Sequence, residues 1–319
     1  MIENTKQKIT KNIQNRSYLL DNMKAPLIFI VVSTHYLRAT KGFSVPTLSG
    51  ATYLMFISFD MVIFLFISGY FSKNIEKCRK NAFKNFLFPY IILTVFMYGI
   101  RYLIFGHATL NIIKPSLALW YMLVMFYYRF LLKDIIKVKY ILPISFAISI
   151  IAGLVPFLNA NLALGRAFGF LPFFLLGYYC KAEHVMKIRN LPKWSTILLL
   201  IVLVVYSGVM AYTEALPLST WFFKSSYESI GLTNLNGMLI RTGLSFISLG
   251  WIVVFINLLP DKKTWYSDIG MHTMSVYALH LTFRQLIKAA NTDFGGGILA
   301  YIVPMLLVAV SVWVLSRPA

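Results

Sequence analysis

Three stretches of this chain, residues 194–213, 242–260 and 294–316, contain no charged residue at all. A helix over any of them rises 1.5 Å per residue and is long enough to cross a hydrocarbon core ~30 Å thick. The rest of the composition agrees, because 58% of the 319 residues are hydrophobic and only 13% are charged. These proportions belong to a polytopic membrane protein rather than a soluble domain. The first 24 residues are polar and rich in Lys, so they read as a cytosolic tail rather than a cleavable signal peptide.

Hydropathy along the chain predicts ten helices, near 22–40, 52–72, 84–104, 115–132, 139–157, 162–180, 194–213, 237–259, 268–290 and 295–316. Lys and Arg concentrate in alternate connections: the tail, Lys73 to Lys84, Arg129 to Lys139, Lys181 to Lys193, and Lys262 with Lys263. The positive-inside rule places those connections, and both termini, in the cytoplasm. The expected fold is therefore all-α, a single domain over 1–319 with a tail at 1–21 and a bundle of about ten transmembrane helices at 22–316. The formal net charge of +19 follows this loop pattern and does not indicate nucleic acid. Cys78 and Cys180 lack metal-type spacing and read as incidental thiols, and no HExxH-like pairing suggests a metal. Nothing around His107 or His184 suggests chemistry.

Ionisable residues inside spanning helices are costly and tend to face a cavity or a partner. Lys24 and His35 are eleven residues apart, three turns plus about 20°, so they share one helix face about 16 Å apart along the axis. Asp21 falls one turn below Lys24. Tyr277, His280 and Arg284 form a second polar stripe, Asp60 lies near mid-membrane, and Arg101, Arg166 and Arg241 stand near outer helix ends. One polar cavity with histidines near its top is the expected geometry. For Arg101 and Arg284, snorkelling to headgroups is an equal alternative.

Lys73, Lys77, Arg79, Lys80 and Lys84 oppose a single Glu76 on the inner side. They fit three roles: a topological signal, a patch for anionic membrane lipid, or a site for a phosphorylated cosubstrate. The longest outward connection, 214–236, carries Trp221 and Tyr227 with two glutamates, which suits either a sugar ligand or the membrane interface.

Lys24, ten residues, then His35 resembles the basic-x10-His signature on the first helix of the acyltransferase-3 family of membrane-bound acyltransferases. Residues 21–35 are similar to its fucose 4-O-acetylase-like subgroup, and the segments "FISGYFSKN", "LWYMLVMFYYR", "GRAFGFLPFFLLGYY" and "IGMHTMSVYALH" follow in family order. Ala25, Pro26, Thr34 and Asp60 depart from the subgroup pattern. The resemblance implies transfer of an acyl group, most simply acetyl, from cytoplasmic acyl-CoA to a hydroxyl of an extracytoplasmic or lipid-linked glycan. It implies a multi-pass protein of a prokaryotic plasma membrane with no permanently bound cofactor. His35 is the expected general base, with an acyl-His35 intermediate left open, and Lys24, Arg166, His280 and Tyr277 are the other catalytic candidates. Lys24 and the five inner basic residues would hold acetyl-CoA, while Asp60, Trp120, Arg241 and Trp221 would meet the acceptor. A secondary transporter or exporter is the rival reading.

Overall fold

The computed structural model describes residues 18–159, 161–293 and 297–317, and among them the chain is all-α without a β-strand. Residues 1–17 of the expected tail lie outside the described residues, and 18–21 already belong to the first helix. Five helical units are long and apolar enough to span a membrane: Leu48–Tyr70, Ile75–Phe105, Asn161–Tyr179, Lys193–Thr213 and Asn234–Leu258. Ile141–Leu154 and Leu299–Leu315 are apolar but shorter.

In chain order the helices are α1 (Tyr18–Leu37), α2 (Leu48–Ile57), α3 (Asp60–Tyr70), α4 (Ile75–Ala82), α5 (Phe88–Phe105), α6 (Trp120–Ile135) and α7 (Ile141–Ile151). They continue as α8 (Leu164–Tyr179), α9 (Ala182–Arg189), α10 (Lys193–Thr213), α11 (Asn234–Leu258), α12 (Ser267–Met271), α13 (Thr273–Ala290) and α14 (Leu299–Leu315). Ile92 and Leu103 on α5, Ile201 and Val205 on α10, and Leu306 and Val310 on α14 are exposed. Apolar side chains in such rows face lipid.

α1 lies at the centre, packed against α2, α3, α12, α13 and α14. Its Lys24 end is fastened by Asn22, fully buried, whose amide donates to the carbonyls of Pro260 (2.7 Å) and Lys262 (2.8 Å). The Asn22 carbonyl accepts from the hydroxyls of Thr264 and Ser267. Every polar atom of that buried amide is thus satisfied, which holds the connection before α12 against the start of α1. Gly270 touches the Asp21 carbonyl there, and a Cβ would not fit.

The expected helix over 52–72 is two helices. Ser58 hydroxyl turns back to the Met55 carbonyl, its own carbonyl accepts from Ser248 of α11 (2.8 Å), and Phe59 leaves helical geometry. The ladder stops, and Asp60 opens α3 at its N-terminus, where a negative charge is favoured. α3 then crosses α8 at the closest approach in the bundle: Gly69 lies against the Phe174 carbonyl, and Gly177 against that of Phe66. Small residues permit such backbone contact where lipid supplies no hydrophobic drive between helices.

The middle of the connection 214–236, from Thr220 to Tyr227, folds inward while its ends are exposed. Its Tyr227 ring is clasped between Gly153 and Gly237, its hydroxyl donates to the Ile150 carbonyl (2.7 Å), and its backbone N–H donates to the Gly153 carbonyl (2.8 Å). Phe223 and Lys224 run against Gly169 and Gly165 of α8. The segment acts as a plug that roofs one end of the bundle.

Candidate active site

Beneath that plug lies a polar chamber of about 390 Å³. α1 contributes His35 and, just past its end, Arg38; the helix break contributes Asp60; α6 contributes Trp120; α8 contributes Arg166; the plug contributes Trp221, Phe222 and Lys224; and α13 contributes Arg284. The chamber therefore brings together five of the residues singled out from sequence for chemistry or acceptor contact: His35, Asp60, Trp120, Arg166 and Trp221. Arg38 and Lys224 were not anticipated, and Arg284 was weighed as a snorkelling residue.

His35 and His280 meet here, their ring centroids 5.1 Å apart and inclined at 45°. His280 is fully buried, and its Nδ1 contacts the carbonyls of Val276 (3.1 Å) and Tyr277 (2.9 Å). Carbonyl oxygens only accept, so Nδ1 carries the proton. Nε2 of His280 is then a buried lone pair with no protein partner among the described residues. That nitrogen lies on the ring packed beside His35.

Arg166 stacks over the Trp120 ring (4.5 Å to its centroid), and Trp120 in turn stacks on Phe170. Arg38 donates to the Tyr53 hydroxyl (3.1 Å) and lies over Tyr53 and Phe222. Aromatic faces cover the flat sides of these guanidinium groups and leave their N–H edges for a ligand. Asp60 Oδ1 accepts the Met61 N–H at 2.5 Å. The indole N–H of Trp221 and Nε of Arg284 are buried without partners among the described residues.

A second, narrower cavity of about 160 Å³ lies toward the Lys24 end and is mostly apolar. Lys24 and Arg129 are its cations, with Phe71, Phe86, Tyr121 and Tyr277 among its walls. Lys24 is paired with Asp21 at 2.7 Å and lies over Phe71. Arg129 lies over Phe86, with its Nε unpartnered among the described residues. Val31 and Met61 line both cavities, so they form the wall between them.

The other expected residues lie elsewhere. Tyr277 belongs to the narrow cavity, and its hydroxyl already donates to the Ala118 carbonyl. Arg241 is buried behind the plug, donating to the carbonyls of Ser149 (2.9 Å) and Ser225 (3.2 Å) and lying over Phe223 and Tyr227, and it does not line the chamber. Lys73 donates to the Cys180 carbonyl and lies over Tyr70, and Arg79 pairs with Asp134 at 3.4 Å. Lys77, Lys80 and Lys84 are exposed. None of the five lines the narrow cavity. Arg129, which sequence reasoning counts only toward orientation, lines it instead; it stands at the end of "FYYR", two and a half turns past Trp120.

Comparison with curated proteins and with solved structures returned no match. The family model described as "Acyltransferase domain" (Acyl_transf_3) matches residues 17–317, a span that takes in every helix lining the two cavities. The chain is accordingly a membrane acyltransferase that belongs to the acyltransferase-3 family.

Proposed function

We propose that the protein transfers an acyl group, most simply acetyl, from cytoplasmic acyl-CoA to a hydroxyl of an extracytoplasmic or lipid-linked glycan. One observation carries this reading: Val31 lines both cavities, and His35 stands four residues, about 6 Å, further along the same helix. A pantetheine-like arm entering past Lys24 and Arg129 would bring its thioester to the wall, opposite an acceptor in the polar chamber. The alternating clusters of Lys and Arg along the chain support an orientation with the Lys24 end in the cytoplasm.

In this mechanism His35 takes the proton of the acceptor hydroxyl as its oxygen attacks the acyl carbon. A carbon–oxygen bond forms, and the carbonyl oxygen gathers negative charge. Arg166, held over Trp120, is the cation placed to meet that charge. When the tetrahedral species collapses, the carbon–sulfur bond breaks and the thiolate leaves with the proton that His35 returns. The products are an ester and CoA. His280 is the positioning residue for His35 in this reading, through the packing of the two rings.

The test is CoA release from acetyl-CoA by purified protein with acceptor present. His35→Ala lowers it by about 10²–10⁴-fold while the variant still folds, the range for a lost general base. Release at the wild-type rate would end the base assignment. Label retained on wild-type protein but not on the variant would mark an acyl-His35 intermediate.

A further inference from the structure

Resting on the acyl-transfer reading, we infer that the polar chamber takes an anionic glycan: a hydroxyl-bearing sugar that also carries a carboxylate or a phosphate. Four cations converge on this space from four separate parts of the chain, namely Arg38, Arg166, Lys224 and Arg284. The one carboxylate in the lining is Asp60, and one of its oxygens is taken by the Met61 N–H. No carboxylate among the described residues lies within ion-pair distance of any of the four, although the exposed basic residues Lys133, Lys137 and Lys263 all find one.

Like charges gathered in a half-buried space repel, and the chain retains them at a cost unless an anion completes the site. Lys224 shows the strain: its ammonium is pushed below its ordinary value by burial, then by Arg166 and Arg38. The donors are also available. Arg38 lies over two rings and spends one N–H on the Tyr53 hydroxyl, Arg166 lies over Trp120, and Nε of Arg284 is buried with no partner among the described residues. Guanidinium groups presented edge-on match the planar oxygens of a carboxylate or phosphate. Trp120 and Trp221 add flat walls against which a sugar ring can pack. The phosphates of the donor are served at the other end, by Lys24 and Arg129 across the Val31–Met61 wall.

The experiment is a binding titration on the full chain in nanodiscs, by thermal unfolding, so that it does not depend on turnover. The probes are a uronic-acid oligosaccharide, the same oligosaccharide with its carboxyl groups reduced to alcohols, and a phosphorylated version. The anionic probes stabilise the wild type, and the neutral one does so at least about tenfold more weakly. Lys224→Gln and Arg38→Gln each narrow that gap by about tenfold, and Lys224→Arg restores it. Equal binding of charged and neutral probes, or a gap unmoved by either variant, overturns the assignment. So does loss of acetyl-CoA binding in both Gln variants with the glycan gap intact, because the cations would then serve the donor. Running the series in phosphatidylglycerol and in phosphatidylcholine nanodiscs separates glycan from lipid headgroup. A signal that follows the lipid and ignores the oligosaccharides overturns the glycan assignment. Failure of His35-dependent CoA release is a separate result that strikes the reaction, whatever the chamber binds.

Discussion

At the residue scale, the chemistry depends on which polar atoms are left unspent. His280 commits one nitrogen to backbone carbonyls and keeps the other bare beside His35. Tyr277 and Arg241, equally polar on paper, have spent their donors on carbonyls. Helical spacing identified His35, Lys24 and the stripe at Tyr277, His280 and Arg284, because periodicity reports which side chains share a face. It does not report whether a hydroxyl or guanidinium on that face already has a partner. Lys224 supplies a prediction at this scale. Since burial and the Arg166 and Arg38 charges lower its pKa, the ammonium loses its proton at a lower pH than an ordinary lysine would. Affinity for an anionic acceptor should fall as the pH rises toward the range where an ordinary lysine titrates, and Lys224→Arg, charged throughout, should flatten the fall. Binding of the uronic-acid oligosaccharide measured across that range decides it. Identical profiles for the two proteins would remove Lys224 from the site.

At the element scale, interruptions and crossings matter more than helix length. The break at Ser58–Phe59 turns what would be one straight span into two and sets a carboxylate at a helix N-terminus in mid-bundle. Within residues 52–72 Asp60 marks a polar point but not a break, because the cause is distant: Ser248 of α11 reaching the Ser58 carbonyl. The plug is hidden from the sequence for the same reason, since four glycines scattered over the turn after α7, α8 and α11 make its seat. By contrast, the all-α, strongly apolar character of the chain was legible, because hydropathy depends only on local composition. The α3–α8 crossing yields a prediction: Gly177→Val puts branched carbon where the Phe66 carbonyl lies and should destabilise the fold by about 1–3 kcal/mol, the usual cost of overpacking. Thermal unfolding in detergent measures it, and an unchanged midpoint would mean that the two backbones can part without penalty.

At the scale of the whole molecule, the two cavities approach α1 from opposite ends and stop at one wall. Cysteine scanning tests whether those ends face opposite sides of the membrane. A single cysteine at exposed Lys77, with Cys78 and Cys180 replaced by Ser, should react in intact cells only with permeant maleimide. One at exposed Glu228 should react with the impermeant reagent, and labelling of both from outside would refute the orientation. With that orientation the wall of Val31 and Met61 has an electrical meaning. Aqueous space conducts, so the transmembrane voltage drops where water is excluded. Here the wall at Val31 and Met61 would be that region, rather than the full ~30 Å of a lipid core. A full elementary charge carried through it exchanges about 2.3 kcal/mol per 100 mV with the field. In the proposed reaction the proton that His35 takes up and returns to the thiolate would cross that wall, so the rate of acyl transfer should follow the membrane potential.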